Sequence, residues 1–325
     1  MENDDRNKIL VFDVPTNGNL GDQALVYATD LFLLDHFPQY DVIHVANDEI
    51  NSGLNSIAKK VRQSDIILWN GGGNLGTIYP SAEYSRWDVM NKMPQTKMVV
   101  FPQSVSFKLG STAFEKKSIR EYGKKNNLTV FLREEQSYRY FKHNFEKTNS
   151  KLTPDIVFYL AGKNLLADNK HERNGVLTLL RNDIEKSIDD IDKFQDDLTN
   201  LVGPITNSDT YVSNIYVNDS DRKELLYKKW NEISSYRLVV TDRLHGMIFA
   251  YITGTPAIVF QNSNWKISST FETWLLDVGF IRMADAKMEK SAMRELIDEV
   301  MNSKIRVEDF SDRFQLIEEA LGKDV

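Results

Sequence analysis

Cysteine is absent from this 325-residue chain. That excludes disulfides and thiolate-bound metals, and it fits a reducing compartment. Histidine is scarce, with five scattered residues. No tight Asp/Glu/His cluster stands out at metal-ligand spacing, so no metal site is expected. No apolar run approaches the ~18 residues that span a bilayer. The opening Met1-Glu-Asn-Asp-Asp-Arg-Asn-Lys8 is polar and acidic, without the apolar centre of a signal peptide. Together these absences predict a cytoplasmic protein, with peripheral contact at the inner face of the membrane left open. A basic excess is missing as well. Forty Lys and Arg against 47 Asp and Glu give a net charge of −7, which argues against nucleic acid as a partner. No repeat or heptad run stands out, and self-association into a homo-oligomer stays open.

What is present is alternation. Short apolar runs at residues 9–12, 42–45, 65–69, 97–101 and 129–132 read as buried strands. Amphipathic stretches at 23–36, 51–63 and 112–126, and one opening at 133–138, read as helices. A polar run at 162–174 marks a junction. The pattern then restarts, with strands expected at 175–180, 211–217, 238–240, 257–260 and 280–283. Helices are expected at 185–201, 222–235, 247–252, 289–302 and 309–321. This predicts an α/β chain of two Rossmann-like doubly wound domains, residues 1–161 and 175–303, facing a cleft. The C-terminal helix, 309–322, is expected to pack back on the first domain.

The stretch from 238 to 260 is the most informative. An apolar strand leads through Thr241 or Asp242, either able to cap a helix, into an almost wholly apolar helix that Gly254 and Pro256 end. Arg243 and His245 sit in the first helical turn, where the dipole disfavours positive charge by about 0.3–1 kcal/mol each. A bound anion would offset that, and Gly246 would let a ligand approach the backbone. The alternative is a His satisfied by a carbonyl and an Arg paired with Asp242.

Other loops also follow strands. Gly18-Asn-Leu-Gly-Asp22 sits where this fold class binds phosphate, but it lacks the full dinucleotide fingerprint and the Walker lysine. Asp22 is equally suited to cap the next helix. Gly71, Gly72 and Gly73 could line N–H groups on an anion, or serve a tight turn. Arg133 closes a strand and Arg181 takes the matching place in the second half, although Arg133 with Glu134 could be a local ion pair. Trp69, Trp87 and Trp265 could stack on a sugar face, with Trp69 better suited to the core. Lys266 reads as lying in a loop, and a surface lysine is its plain reading. Asp189-Asp190 and Asp196-Asp197 look like a solvated helix face.

Taken in order, Gly18-Asn-Leu-Gly-Asp22, Gly71-Gly-Gly73, Pro102-Gln-Ser104, Arg133-Glu-Glu-Gln-Ser137, Pro154-Asp155, Thr241-Asp-Arg-Leu-His-Gly246, Gly254-Thr-Pro256 and Lys266 resemble the polysaccharide pyruvyl transferase family. The likeness covers nearly the whole chain and is greatest to exopolysaccharide-biosynthesis members of Gram-positive bacteria. It implies a GT-B-like fold and transfer of pyruvate from phosphoenolpyruvate onto two hydroxyls of a sugar, leaving an acidic ketal. His245 then matches the family's catalytic histidine, and Arg243 and Lys266 its basic donor contacts. Arg133, Gly18, Asn19, Gly21, Asp22, Gly71, Gly72, Gly73 and Gly246 are the remaining expected substrate-binding residues. Glu134 stands where the family has Asp.

The resemblance and the residues agree on chemistry. Phosphoenolpyruvate carries a carboxylate and a phosphate, which call for clustered cations and oriented N–H groups. Its protonation and the loss of a sugar hydroxyl proton suit a positioned His. No redox cofactor is required. The expected partners are phosphoenolpyruvate and a glycan or lipid-linked sugar acceptor. Two other readings remain: a nucleotide-sugar glycosyltransferase, for which Glu272 is the candidate ribose contact, and a non-catalytic glycan-binding relative.

Overall fold

Parallel ladders build both sheets of the computed structural model, which describes residues 6–108, 110–163, 165–166, 172–181, 188, 190–262 and 264–322. The first half runs β1 (Lys8–Val14), α1 (Leu20–His36), β2 (Asp41–Ala46), α2 (Ile50–Ala58), β3 (Ile66–Trp69), β4 (Gly72–Gly76), α3 (Pro80–Lys92), β5 (Lys97–Ser106), α4 (Thr112–Gly123), β6 (Leu128–Leu132), α5 (Glu135–Asn144) and β7 (Asn149–Leu152). Among the described residues these strands form one sheet in the order β2-β1-β3-β5-β6-β7, with β4 pairing on β5. Every residue of β3 is buried, as expected for a parallel strand covered on both faces.

The second half runs β8 (Val176–Leu179), α6 (Ile191–Val202), β9 (Ile205–Asn207), α7 (Asp219–Ser235), β10 (Leu238–Thr241), α8 (Leu244–Ile252), β11 (Ala257–Phe260), α9 (Lys266–Trp274), β12 (Ile281–Ala284) and α10 (Lys290–Asn302). Its sheet has the order β12-β11-β10-β8-β9, again with parallel neighbours. Local chemistry explains several boundaries. Asn218 caps α7 by accepting from the Ser220 and Asp221 amides. Gly254 takes φ 61° just past α8, and Pro256 prevents its continuation.

Two compact units result. Among the described residues, one comprises the chain up to Thr16, Leu25–Tyr159 and the chain from Ser311. The other comprises Asn17–Ala24 and Leu160–Phe310. The final helix, α11 (Gln315–Leu321), belongs with the first unit. There Phe314 lies 5.6 Å from Tyr159 and 6.3 Å from Phe32 between ring centres, and His36 Nδ1 is 3.1 Å from Glu318. The division between units passes through α1, so the turn that opens this helix is part of the second unit.

Some expectations fail locally. No strand forms over 211–217, where Tyr211 makes only an isolated bridge to Asn19 and Asn214 takes φ 58°, outside strand geometry. The strand of that region is β9. The apolar run at 97 extends through Pro102 to Ser106, and the register against β6 shifts between Val100 and Gln103, where a proline is tolerated. Elements α3, β4, β7 and α9 were not expected. The start of the acidic helix expected at 185–201, with Asp189, lies outside the described residues; its described part is α6. Much of the polar junction at 162–174 also lies outside them.

Candidate active site

The second sheet reverses its winding direction between β8 and β10, the place where ligands bind in open α/β sheets. Both strand ends there are tied together. Thr241 Oγ1 donates to the Leu179 carbonyl (2.8 Å), and Asp242 Oδ1 accepts from the Arg181 amide (2.8 Å). Asp242 is fully buried, and burial, the largest influence, pushes its carboxyl above the usual range. The Arg181 amide and the charges of Arg243 and Arg181 pull the other way.

Arg243 occupies the cap position of α8 in extended conformation, and its amide donates to Thr241 Oγ1 (3.0 Å). Neither Thr241 nor Asp242 is the cap residue, because both point back to β8. Arg243 does not pair with its neighbour Asp242 either. Its Nη2 reaches Asp209, 2.8 Å from Oδ1. Asp242 Oδ2 and Arg243 Nε are buried without a hydrogen-bond partner among the described residues, and such atoms call for a polar group to meet them. Gly246 has a packing reason of its own: a Cβ there would lie 2.3 Å from Thr241 Oγ1. The missing side chain lets α8 close on β10 rather than opening the backbone on that side.

The sequence motif at the start of α1 meets this helix. A Cβ on Gly21 would fall 2.2 Å from Nδ1 of His245 and 2.7 Å from its Cγ. The turn is stitched to the loop before α7: the Leu20 amide donates to the Thr210 carbonyl (2.8 Å), and the Val212 amide to the Gly18 carbonyl (2.9 Å). A Cβ on Gly18 would strike the Val212 carbonyl oxygen at 1.9 Å. Asn19, not Asp22, opens the helix. Its Oδ1 accepts from the Gly21 amide (3.1 Å), and its Nδ2 donates to Asp22 (2.8 Å) from the first turn. The same loop therefore carries Asp209, which holds Arg243, and the two residues that hold the glycine turn.

Lys266 begins α9 and is buried at 8% exposure, not a surface lysine in a loop. Its helix follows β11, the neighbour of β10, so α8 and α9 start from adjacent strand ends. Trp265 is half-buried, while Trp69 and Trp87 lie in the first unit's core. Glu272 is exposed on α9.

In the first unit the glycine run does not make a tight turn. Gly72 and Gly73 enter β4, and Gln103 braces them by donating to the Asn70 carbonyl (2.8 Å) and accepting from the Asn74 amide (3.2 Å). Arg133 is buried, with Nη1 2.8 Å from Asp155 and Nε donating to Ser104 Oγ (2.7 Å). Glu134 stands farther away at 3.8 Å and accepts from Ser104 and Ser137. The close ion pair is with Asp155 rather than the chain neighbour, so three expected motifs combine into one buried network. A second network was not expected. Arg86, wholly buried, reaches Glu83 (2.6 Å), Asn74 (2.7 Å) and Asp13 (3.2 Å). Asp13 sits at the end of β1 with φ 60°. Burial pushes the carboxyls of both Asp13 and Glu83 upward against the pull of Arg86. Among the described residues no group of three or more His, Asp or Glu side chains could hold a metal ion.

The profile of the polysaccharide pyruvyl transferase family matches residues 19–264 of this chain. The chain belongs to that family. Gly71–73, Arg133, Arg243 and His245 all fall within the match, while Gly18 and Lys266 flank it. Among similar proteins, General stress protein 30 of Bacillus subtilis is 33% identical over 317 residues, covering 96% of this chain and 90% of its own. Pyruvyl transferase 1 of Schizosaccharomyces pombe is 31% identical over 283 residues, covering 82% and 70%. The solved UDP-GlcNAc 2-epimerase of Neisseria meningitidis superposes with a TM-score of 0.55 at 10% identity, covering 98% of this chain and all of that one. That likeness concerns the fold, which is GT-B-like. As a pyruvyl transferase family member the chain is a transferase. Among the described residues no helix is long and apolar enough to cross a membrane.

For this pyruvyl transferase family member, the residues that sequence reasoning missed are informative. Asp209, Thr210 and Val212 gave no motif signal, since their roles depend on contacts with distant segments. Arg86 lies on a helix that went unrecognised because α3 has no clear apolar face. Asp242 is visible in the motif as a possible cap, and only the structure shows it buried and bonded to the Arg181 amide instead.

Proposed function

We propose that this protein transfers the pyruvyl group of phosphoenolpyruvate onto two hydroxyls of a sugar in a glycan or lipid-linked precursor, forming a pyruvate ketal. The observation that carries the proposal is the start of α8. Arg243 and His245 stand against the helix dipole at the sheet's switch point, with a glycine turn packed on the imidazole. A dianionic donor with a carboxylate suits such a place, because helix amides and a guanidinium both favour it. The name of the S. pombe relative supports pyruvyl transfer as the chemistry.

In this reading Arg243 and Lys266 hold the donor's phosphate and carboxylate, and His245 moves protons. Protonated His245 gives its proton to the donor's methylene carbon, which makes the adjacent carbon electrophilic. One sugar oxygen bonds there and loses its proton to His245. The phosphate leaves with its bridging oxygen, the second sugar oxygen takes its place, and its proton ends on phosphate. The balance is one C–H bond, two C–O bonds and one phosphate O–H bond formed, against the C=C π bond, one C–O bond and two sugar O–H bonds broken, with inorganic phosphate released. No electron is transferred. Gly18, Asn19, Gly21 and Asp22 shape the imidazole's surroundings. Gly71, Gly72, Gly73 and the Arg133 network order the loops that follow the first unit's strands. The test is incubation with phosphoenolpyruvate and a panel of nitrophenyl and lipid-linked hexosides, following phosphate. Release that depends on one acceptor supports the reading. Binding of a nucleotide sugar, with no response to phosphoenolpyruvate, sinks it.

A further inference from the structure

The turn that packs on His245 is held by a buried charge. Arg222, on the first turns of α7, is 2% exposed, and its Nε donates to Gln23 Oε1 (2.8 Å) across 199 residues of sequence. Gln23 is fully buried, and its Nε2 donates to the Asn17 carbonyl (2.8 Å). Asn17 Oδ1 accepts from the Asn19 amide (2.9 Å), and Asn19 in turn accepts from the Gly21 amide. An unbroken chain of hydrogen bonds thus runs from the Arg222 guanidinium to the glycine against Nδ1 of His245. One ion-pair partner of Arg222, Asp219 (2.7 Å), has a side chain 66% exposed. Burying a guanidinium to meet an amide is a costly way to fasten two segments, where an apolar pair would serve. Specific direction is what this arrangement adds. Guanidinium and amide fix both the distance and the orientation of the turn.

We infer that Arg222 is a positioning residue for His245, acting through Gln23 and the Asn17–Gly21 turn. This rests on the reading of His245 as the proton-moving group. Proton transfer to a carbon depends on placement within a fraction of an ångström, and a displacement of about 1 Å can cost on the order of 10²-fold in rate. The imidazole has the glycine turn on its Nδ1 edge and Phe249 6.0 Å away between ring centres. If the turn relaxes, the ring loses one of its walls. Arg243 is held by Asp209 rather than by Arg222 or Gln23, so donor binding should be largely spared.

The experiment compares the full-length protein with Arg222→Met, Gln23→Met and the double variant. Each is measured for kcat, for KM toward phosphoenolpyruvate, and for the ¹⁵N shifts of the His245 ring without substrate. The expected result is a fall in kcat of about 10–100-fold with KM within twofold, a changed His245 ring signal, and no further loss in the double variant. Arg222→Lys should recover part of the rate. If Arg222→Met fails to fold, Gln23→Met asks the same question of the next link without removing a buried charge. An unchanged His245 signal in a folded variant overturns the proposal, as does a KM rise that accounts for the whole loss. A shifted ring signal combined with normal turnover in His245→Ala would leave the positioning intact and reject the catalytic reading instead.

Discussion

Gly21 and His245 are packed so closely that a single methyl group between them would lie 2.2 Å from the imidazole Nδ1. Gly21→Ala should therefore displace the ring rather than merely crowd it. We expect turnover to fall by about 10²-fold while circular dichroism and donor affinity stay near normal. Near-normal turnover in a folded Gly21→Ala protein would show that the ring's place does not matter.

That relationship marks the limit of what could be read in advance. The unit from β10 to β11 was legible because its signals are local: an apolar run, then Gly254 and Pro256 in the order that ends a helix. Gly18, Gly21 and His245 are legible as residues of loops that follow strands and are expected to gather at one cleft, but the direct packing of Gly21 on the imidazole is not. It arises because the opening of α1 belongs to the second unit, and no periodicity carries that information. The loop placement of Lys266 fails for a similar reason. A polar stretch after β11 looks like a loop, yet Lys266 opens α9 and is buried.

Arg86 links two buried carboxylates, Asp13 and Glu83. Arg86→Met would leave both without their cation, which should destabilise the protein by about 3–5 kcal/mol in denaturant unfolding. A loss below about 1 kcal/mol would mean that the network is structurally neutral.

Asp242 predicts a pH dependence of stability. Its carboxyl is held above the ordinary 3.8, chiefly by burial. The folded state therefore binds this proton more tightly than the unfolded chain. The associated stability is fully present below pH 3.8 and is lost as pH rises through the raised folded value. Asp242→Asn keeps an oxygen for the Arg181 amide and removes the titration. The variant's Tm should gain on that of the unsubstituted protein as pH rises from about 4 to 7. A constant difference across that range would contradict the assignment.

Lys266 is proposed to hold the donor. Lys266→Ala should weaken phosphoenolpyruvate binding by about 1.5–3 kcal/mol, the worth of a charged hydrogen bond, measured by calorimetry. Unchanged affinity would remove Lys266 from the donor site.

The central claim is pyruvyl transfer with His245 moving the proton, and one labelling measurement reaches both parts. Phosphoenolpyruvate carrying ¹³C at its second carbon is incubated with an accepted hexoside, and the product is observed by carbon NMR. The account predicts a quaternary ketal carbon attached to the sugar, formed with one phosphate per ketal. In His245→Ala the same signal should grow about 10²–10⁴-fold more slowly while donor binding is retained. A labelled product other than a ketal, or an undiminished ketal signal with His245→Ala, would contradict it.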